Sequence, residues 1–396
     1  MQILENIGVL ARCHETGGQG EIHVVRDAVL AWEEGTIRYA GPAADFSGSG
    51  ERIDAEGRLV VPGLVDCHTH LAFGGWRADE FGMRARGASY LDILKAGGGI
   101  RSTMRHTREA TEDALLERSQ RFLREMASLG VTTVEAKSGY GLSLEAESKQ
   151  LSVYRRLAGR AAQEVVPTFL GAHVVPPEFG DAASYVDFLA NQVLPVTEAE
   201  FCDVFVEDGA FSADDARRLF AAAASRGMRP KLHVDQLGDG GGGLLAAEVG
   251  AISADHLEYT NPEGRQAMAE AGVVAVTLPI ASLYLRQPPM DARAFIADGC
   301  RVAVATDFNP GSAPSYHLPW AMTLACTMNR LTPAEALKGA TLYAAAAIAR
   351  DADRGSLEAG KRADFVVVDA DSVDQWLYHF VPNAAVATFI AGHPVR

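Results

Sequence analysis

No stretch of about 18 uninterrupted apolar residues occurs anywhere in the chain, so no segment reads as a membrane-spanning helix. The start, MQILENIGVLARCHETGG, has neither a basic lead nor a long apolar stretch behind it, and the expectation is a soluble chain with no leader to cleave. Positive charge is also short. With 36 Lys and Arg against 51 Asp and Glu, the formal net charge of -15 repels a phosphate backbone and an anionic membrane surface alike. Neither nucleic acid nor membrane is an expected partner. The five cysteines (Cys13, Cys67, Cys202, Cys300 and Cys326) are odd in number and scattered, unlike a disulfide framework or a paired-cysteine zinc site, and a reducing cytoplasm is the expected compartment. Internal repeats are absent. The glycine run at 240–243 lacks the following Lys and Ser or Thr of a phosphate loop and reads as a flexible turn.

What is present is a regular alternation. Eight apolar, strand-length runs (LVVPGLVD, VTTVEAK, QEVVPTFLGAH, CDVFVE, RPKLHVDQ, AISADHLE, VVAVTLP and VAVATDF) are separated by stretches with helical spacing, such as TREATEDALLERSQRFLREMASLG. Runs this rich in Val, Ile, Leu and Ala suit parallel strands buried on both faces, and eight of them predict a TIM-like (β/α)8 barrel over residues 61–351. Both ends of the chain, HVVRDAVLAWEEGTIRYAG near the start and GKRADFVVVDAD with AAVATFIAGHPV near the finish, have β character. Residues 1–60 and 352–396 are therefore expected to form one small discontinuous β-sandwich domain. Residues 71–107 make a long connection after the first barrel strand, of a size that belongs to a site or a lid.

In such a barrel the chemistry collects where strands end. His68 and His70 follow the first run, Ser138 and Tyr140 the second, His173 the third, Glu207 the fourth, His233 and Gln236 the fifth, His256 the sixth, and Asp307 with Asn309 the eighth. Alternate residues of a strand share a face, so His68 and His70 converge on one point that His233 and Asp307 can reach from across the mouth. Three imidazoles and one carboxylate suit one divalent ion per chain, zinc or iron, better than magnesium or calcium. Lys137 ends the second strand and Glu207 the fourth; a mononuclear site is the simpler reading, with Glu207 in a supporting or salt-bridged position.

These residues carry a resemblance. PGLVDCHTHLAFGGWRADEF, the GGGI at 97–100, EAKSGYGL, FLGAHVVP, LHVDQL, SADHLEY and ATDFNPGS, in that order, resemble the amidohydrolase superfamily and, within it, the imidazolonepropionase family over nearly the whole chain. The resemblance implies metal ligation by His68, His70, His233 and Asp307, and substrate contacts from Arg77, Tyr140, His173, Gln236, Asn309, Gly311 and Ser312. It further implies a homodimer, and hydrolysis of the cyclic amide of 4-imidazolone-5-propanoate to N-formimidoyl-L-glutamate in histidine degradation. Arg77 can pair bidentately with the propionate of such a small anionic heterocycle, and the backbone N–H groups of the NPGS loop can approach a ligand oxygen. Asp307 is the expected base and His256 the group that stabilises the oxyanion or relays the proton.

Two other readings compete with this one. Another cyclic amidohydrolase, or a deaminase, could keep the metal site with a changed pocket, but Gln236 stands where deaminases carry a proton-shuttling glutamate, and an amide moves no proton near neutral pH. A non-catalytic scaffold would be expected to lose ligands, and all four ligand positions are filled.

Overall fold

A computed structural model describes residues 1–88, 92 and 96–395. The chain opens with β1 (Gln2–Ala11), β2 (Val24–Glu33) and β3 (Thr36–Pro42), adds β4 (Glu51–Asp54) and β5 (Leu59–Pro62), and returns at its far end with β14 (Phe365–Val368), β15 (Ala385–Ile390) and β16 (His393–Val395). These strands form one sheet in the order β16-β15-β14-β5-β1-β2-β3, with β4 alongside β1. The two ends of the chain meet where β5 pairs antiparallel with β14 and parallel with β1. Trp32, Phe365 and Phe389 lock the core of this sheet, the two phenylalanine rings stacking at 4.4 Å.

Among the described residues, the second sheet holds eight parallel strands in sequential order: β6 (Leu64–Asp66), β7 (Val131–Lys137), β8 (Glu164–Ala172), β9 (Phe201–Val206), β10 (Arg229–Val234), β11 (Ser253–His256), β12 (Val274–Thr277) and β13 (Val302–Val304). Each of the eight apolar runs contributes one of them. The gap between β13 and β6 is bridged beyond the strand ends: Thr69 pairs with Phe308, the His70 N–H donates to the Phe308 carbonyl at 2.8 Å, and Asp66 accepts from the N–H and hydroxyl of Thr306 at 3.1 and 2.6 Å. The result is a nearly closed TIM-like barrel.

Helices pack around it for reasons legible in their sequences. Thr111 caps α3 (Glu112–Ser128) by accepting from the Ala114 N–H, and Leu115, Ser119, Phe122 and Met126 fall on its buried face at spacings of three and four. The connection at 71–107 carries α1 (Ala78–Ala85) and most of α2 (Ile100–Glu109); its residues 89–91 and 93–95 lie outside the described ones. No helix among the described residues is long and apolar enough to cross a membrane.

One expectation needs correction. LVVPGLVD, read as one barrel strand, is two strands in two sheets, β5 in the terminal sheet and β6 in the barrel, with Gly63 at the joint. The Gly63 N–H donates to the Asp364 carbonyl at 2.9 Å, while the next N–H, of Leu64, donates to Gly130 at 3.0 Å. Apolar content alone does not reveal a change of hydrogen-bonding partner. Gly63 is required sterically, because a Cβ there would lie 2.4 Å from the Thr132 Oγ1. Gly63→Ala is expected to cost about 1–3 kcal/mol by overpacking, read as a lower urea midpoint at unchanged slope; an unshifted midpoint would refute the joint's tightness.

Candidate metal centre and substrate cavity

Polar residues repeat every second position on the inner face of the barrel: Asp66, His68 and His70; Glu135 and Lys137; Lys231 and His233; Ser253 and Asp255. All are buried. Where the strands end, the backbone turns sharply, with left-handed φ angles at Asp235 (52°), His256 (82°) and Asp307 (55°). Such conformations are strained for residues with a side chain and are held by their surroundings.

His68 Nε2 and His70 Nε2 each lie 3.4 Å from the same Asp307 oxygen. The His233 ring centroid is 4.5 Å from that of His68. Two groups of potential ligands share His68: His68 with His70 and Asp307, and His68 with His233 and His256, the donor atoms of each lying within 4.8 Å of one another. His68 thus joins two of the other expected ligands, His70 and Asp307, on one side to His233 and His256 on the other.

Hydrogen bonding decides what the ring nitrogens can do. Asp255 Oδ2 is 2.6 Å from His68 Nδ1, and Asp203 Oδ1 is 3.0 Å from His233 Nδ1. Both carboxylates are held well below their usual range; against the cost of burial, Lys231 and Lys137 act on Asp255, and His233 and Lys137 on Asp203. They stay ionised and only accept, so each imidazole donates from Nδ1 and turns Nε2 away from its carboxylate. His233 is held neutral by burial, whereas against burial and Lys137 the carboxylates of Asp255 and Asp307 raise His68 to about 9, so that its Nε2 offers a lone pair once a cation displaces the proton. Both of those Nε2 atoms are buried without a hydrogen-bond partner in the protein. Two orphaned ring nitrogens beside a carboxylate form a donor set that a divalent cation satisfies.

Burial holds the other imidazoles neutral. His173 is pushed down to about 3 and His256 to about 4, in both cases mainly by loss of water. The two carboxylates behind the ligands converge on one ammonium, for Lys137 Nζ sits 2.8 Å from Glu135, 2.8 Å from Asp203 and 3.5 Å from Asp255. Burial alone would lower the Lys137 pKa, but these three carboxylates raise it above the ordinary lysine value, and the residue is a counterion.

A cavity of about 80 Å³ opens above the ligands, lined by His70, Tyr140, His173, Phe205, His233, Gln236, His256, Asp307, Asn309 and Ser312. Five of the seven expected substrate contacts therefore share it with the expected catalytic pair. Arg77 and Gly311 do not line it. Arg77 lines a neighbouring vestibule of about 320 Å³ with Trp76, Phe81 and Tyr284, because its Nε is tied to Glu80 Oε2 at 3.0 Å. Gly311 lies directly against the Arg77 guanidinium, where a Cβ would come within 2.2 Å of Nη1.

Two smaller expectations are also corrected, and that for Glu207 is narrowed to the supporting alternative. The N–H groups of Gly311 and Ser312, expected to face a ligand oxygen, both donate to Asn309 Oδ1 at 2.8 Å, so the loop closes on its own asparagine. Glu207 makes no salt bridge among the described residues and instead accepts from the N–H groups of Gln236 and Leu237 at 2.9 and 3.1 Å. The glycine run read as flexible is pinned, with Asp235 accepting from Gly240, Gly242 and Gly243. Asp203, Asp255, Phe205 and Glu258 were missed as site residues. The first two carried a signal, since they stand at inward positions within the apolar runs, each two residues after the first residue of its strand.

The model of the amidohydrolase family matches residues 59–395. An imidazolonepropionase of Geobacillus thermodenitrificans is 47% identical over 375 residues, covering 92% of this chain and 88% of the relative. One from Cupriavidus necator is 46% identical over 392 residues, covering 97% and 94%. Among solved structures, atrazine chlorohydrolase from Arthrobacter aurescens, complexed with zinc, superposes with a TM-score of 0.75 at 16% identity, covering 100% of this chain and 95% of that one. At that identity the likeness concerns the fold.

Lys137→Met removes the ammonium that three buried carboxylates share, and the protein is expected to lose about 3–5 kcal/mol of stability. Urea unfolding and metal content per chain check this together; unchanged values for both would refute the counterion role.

Proposed function

The chain belongs to the amidohydrolase family and, within it, to the imidazolonepropionases, and from that premise we propose that the site described above carries out ring-opening hydrolysis of 4-imidazolone-5-propanoate to N-formimidoyl-L-glutamate. The observation that carries the site assignment is the pair of buried, unpartnered Nε2 atoms of His68 and His233 beside His70 and Asp307. A divalent ion held by these four residues supplies Lewis acidity that lowers the pKa of water from about 15.7 towards about 7. Zinc or ferrous iron suits this nitrogen-rich set.

The chain's own groups do the rest. Asp307, an ionised carboxylate, accepts the proton from the attacking water. His256, neutral and close by, donates a hydrogen bond to the oxygen that gains charge as the carbonyl carbon is attacked. When the ring C–N bond breaks, the proton held by Asp307 passes to the leaving nitrogen, so the carbonyl becomes a carboxyl group and the count of protons balances. Gln236 cannot carry a proton and acts as a hydrogen-bonding wall, which favours amide hydrolysis over deamination. Tyr140, His173, Asn309 and Ser312 shape the cavity around the ring, and Arg77 receives the propionate. A cytoplasmic homodimer goes with the same reading, on the strength of the family resemblance.

The test is loss of ring absorbance from freshly prepared substrate, with the product identified and metal measured on the same sample. Turnover is expected to vanish on chelation and return with zinc or ferrous iron; a metal-loaded enzyme that leaves the ring intact would refute the proposal. Asp307→Ala is expected to abolish turnover. Arg77→Ala should raise KM by about ten- to a hundredfold with kcat little changed, the value of a charge-assisted hydrogen bond made equally in ground and transition states; unchanged KM would refute the clamp.

A further inference from the structure

We infer that Glu80 is a positioning residue for Arg77 and thereby sets the length of acidic tail the site accepts; this rests on the hydrolytic reading above. Glu80 is buried at the first turn of α1, and its two oxygens are divided between two tasks. Oε2 accepts from Arg77 Nε at 3.0 Å, and Oε1 accepts from the Gly99 N–H at 2.7 Å. Gly99, with φ of 74°, is the residue on which α2 begins. One carboxylate therefore ties the arginine to the GGGI segment across the connection.

The consequence lies in which edge of the guanidinium is left. With Nε engaged, only the Nη1 and Nη2 edge remains for a carboxylate, and among the described residues neither Nη group meets a protein acceptor. The face of the guanidinium, not that edge, rests against Gly311, whose missing side chain leaves it room, and Gly311 is itself held by Arg84 Nη2, which donates to its carbonyl at 3.1 Å. An arginine on a free stem samples many rotamers and can follow tails of different length. Here the distance from the metal centre to the receiving edge is fixed, so the site selects the spacer between ring and acid.

A plain neutralising role for Glu80 makes the opposite prediction. If the glutamate merely offset the arginine's charge, removing it would strengthen attraction for an anion and lower KM. Positioning requires KM to rise.

The experiment is steady-state kinetics of the metal-loaded enzyme with the acid substrate, with its propionamide analogue and with a homologue one methylene longer. Glu80→Ala is expected to raise KM for the acid about tenfold with kcat within about twofold, the loss of one charge-assisted contact. It should leave KM for the amide unmoved, narrow the preference over the longer acid, and add nothing to Arg77→Ala in the double variant. Thermal unfolding and metal content are read on the same samples, and Glu80→Gln, which keeps the volume but only one acceptor oxygen, should give an intermediate KM and serves in place of an alanine variant that does not fold. A KM that falls or stays put, or additivity with Arg77→Ala, overturns the inference. Native enzyme that does not open the ring refutes the hydrolytic reading instead, whereas an active enzyme with an intact Arg77 effect and a silent Glu80 refutes only the role given to Glu80.

Discussion

The site depends on one buried ammonium. Lys137 sits inside the barrel within 3.5 Å of Glu135, Asp203 and Asp255, and without it the two aspartates would face each other through a medium of low dielectric. Burying such charges is costly, and the arrangement is tolerable because each carboxylate oxygen facing the lysine or a histidine is used. What the cost sustains is orientation. Asp255 and Asp203 stay ionised, and each fixes the ring orientation of one histidine through Nδ1, so that both Nε2 atoms are turned away from the carboxylates. Lys231 extends the network, donating to Ser253 Oγ at 2.8 Å, and that hydroxyl donates to Asp255 at 2.7 Å. The barrel interior is thus a polar truss below the mouth, where a packed aliphatic layer would have left the imidazoles free to rotate.

A second use of carboxylates surrounds the first. Glu147 accepts from the N–H groups of Gly139, Gly141 and Leu142 and so shapes the loop that presents Tyr140. Glu207 does the same behind Gln236, Asp235 behind the glycine run, and Asn309 closes its own loop with a side-chain amide. Glycine-rich loops are entropically expensive to order. At this mouth the order is supplied by buried acceptors gathering adjacent N–H groups, and it explains part of an acidic excess that has no ligand to attract.

The barrel was legible because its signal is redundant: eight apolar runs, helical spacing between them, and histidines where runs end. The clustering of His68, His70 and Asp307 was legible for a related reason, since period two in a strand converts sequence spacing into a shared face, as with His68 and His70. The same rule applied one step inward points to Asp203 and Asp255, acidic residues inside apolar runs whose carboxylates meet His233 and His68. Other features could not be read at all. Nothing local shows that LVVPGLVD changes sheets at Gly63, because the cause is a pairing with β14 some three hundred residues away. The fate of Arg77 and of the Gly311 and Ser312 N–H groups was equally hidden, since each is decided by a side chain, Glu80 or Asn309, whose choice of partner follows from three-dimensional proximity.

Gln236 shifts the burden of proton movement onto its neighbours, and the electrostatics suit that shift. Glu258 is buried, pushed up to about 8 by loss of water, and holds one oxygen within 3.1 Å of the Ser282 hydroxyl while the other lies 3.9 Å from His256 Nδ1. A carboxyl group with that affinity for its proton is largely neutral near pH 7, so it does not draw His256 into the charged state as an ionised glutamate at that distance would. His256 therefore remains a neutral imidazole beside a cationic centre, where an imidazolium would compete with the metal for Asp307 and weaken it as a base. Placing an amide at 236 and a neutral acid at 258 leaves Asp307 as the ionised oxygen group of the cavity. In the proposed reaction the carboxylate best placed to receive a proton from water is then also the one proposed to hold the metal, and the two halves of that reaction share one residue.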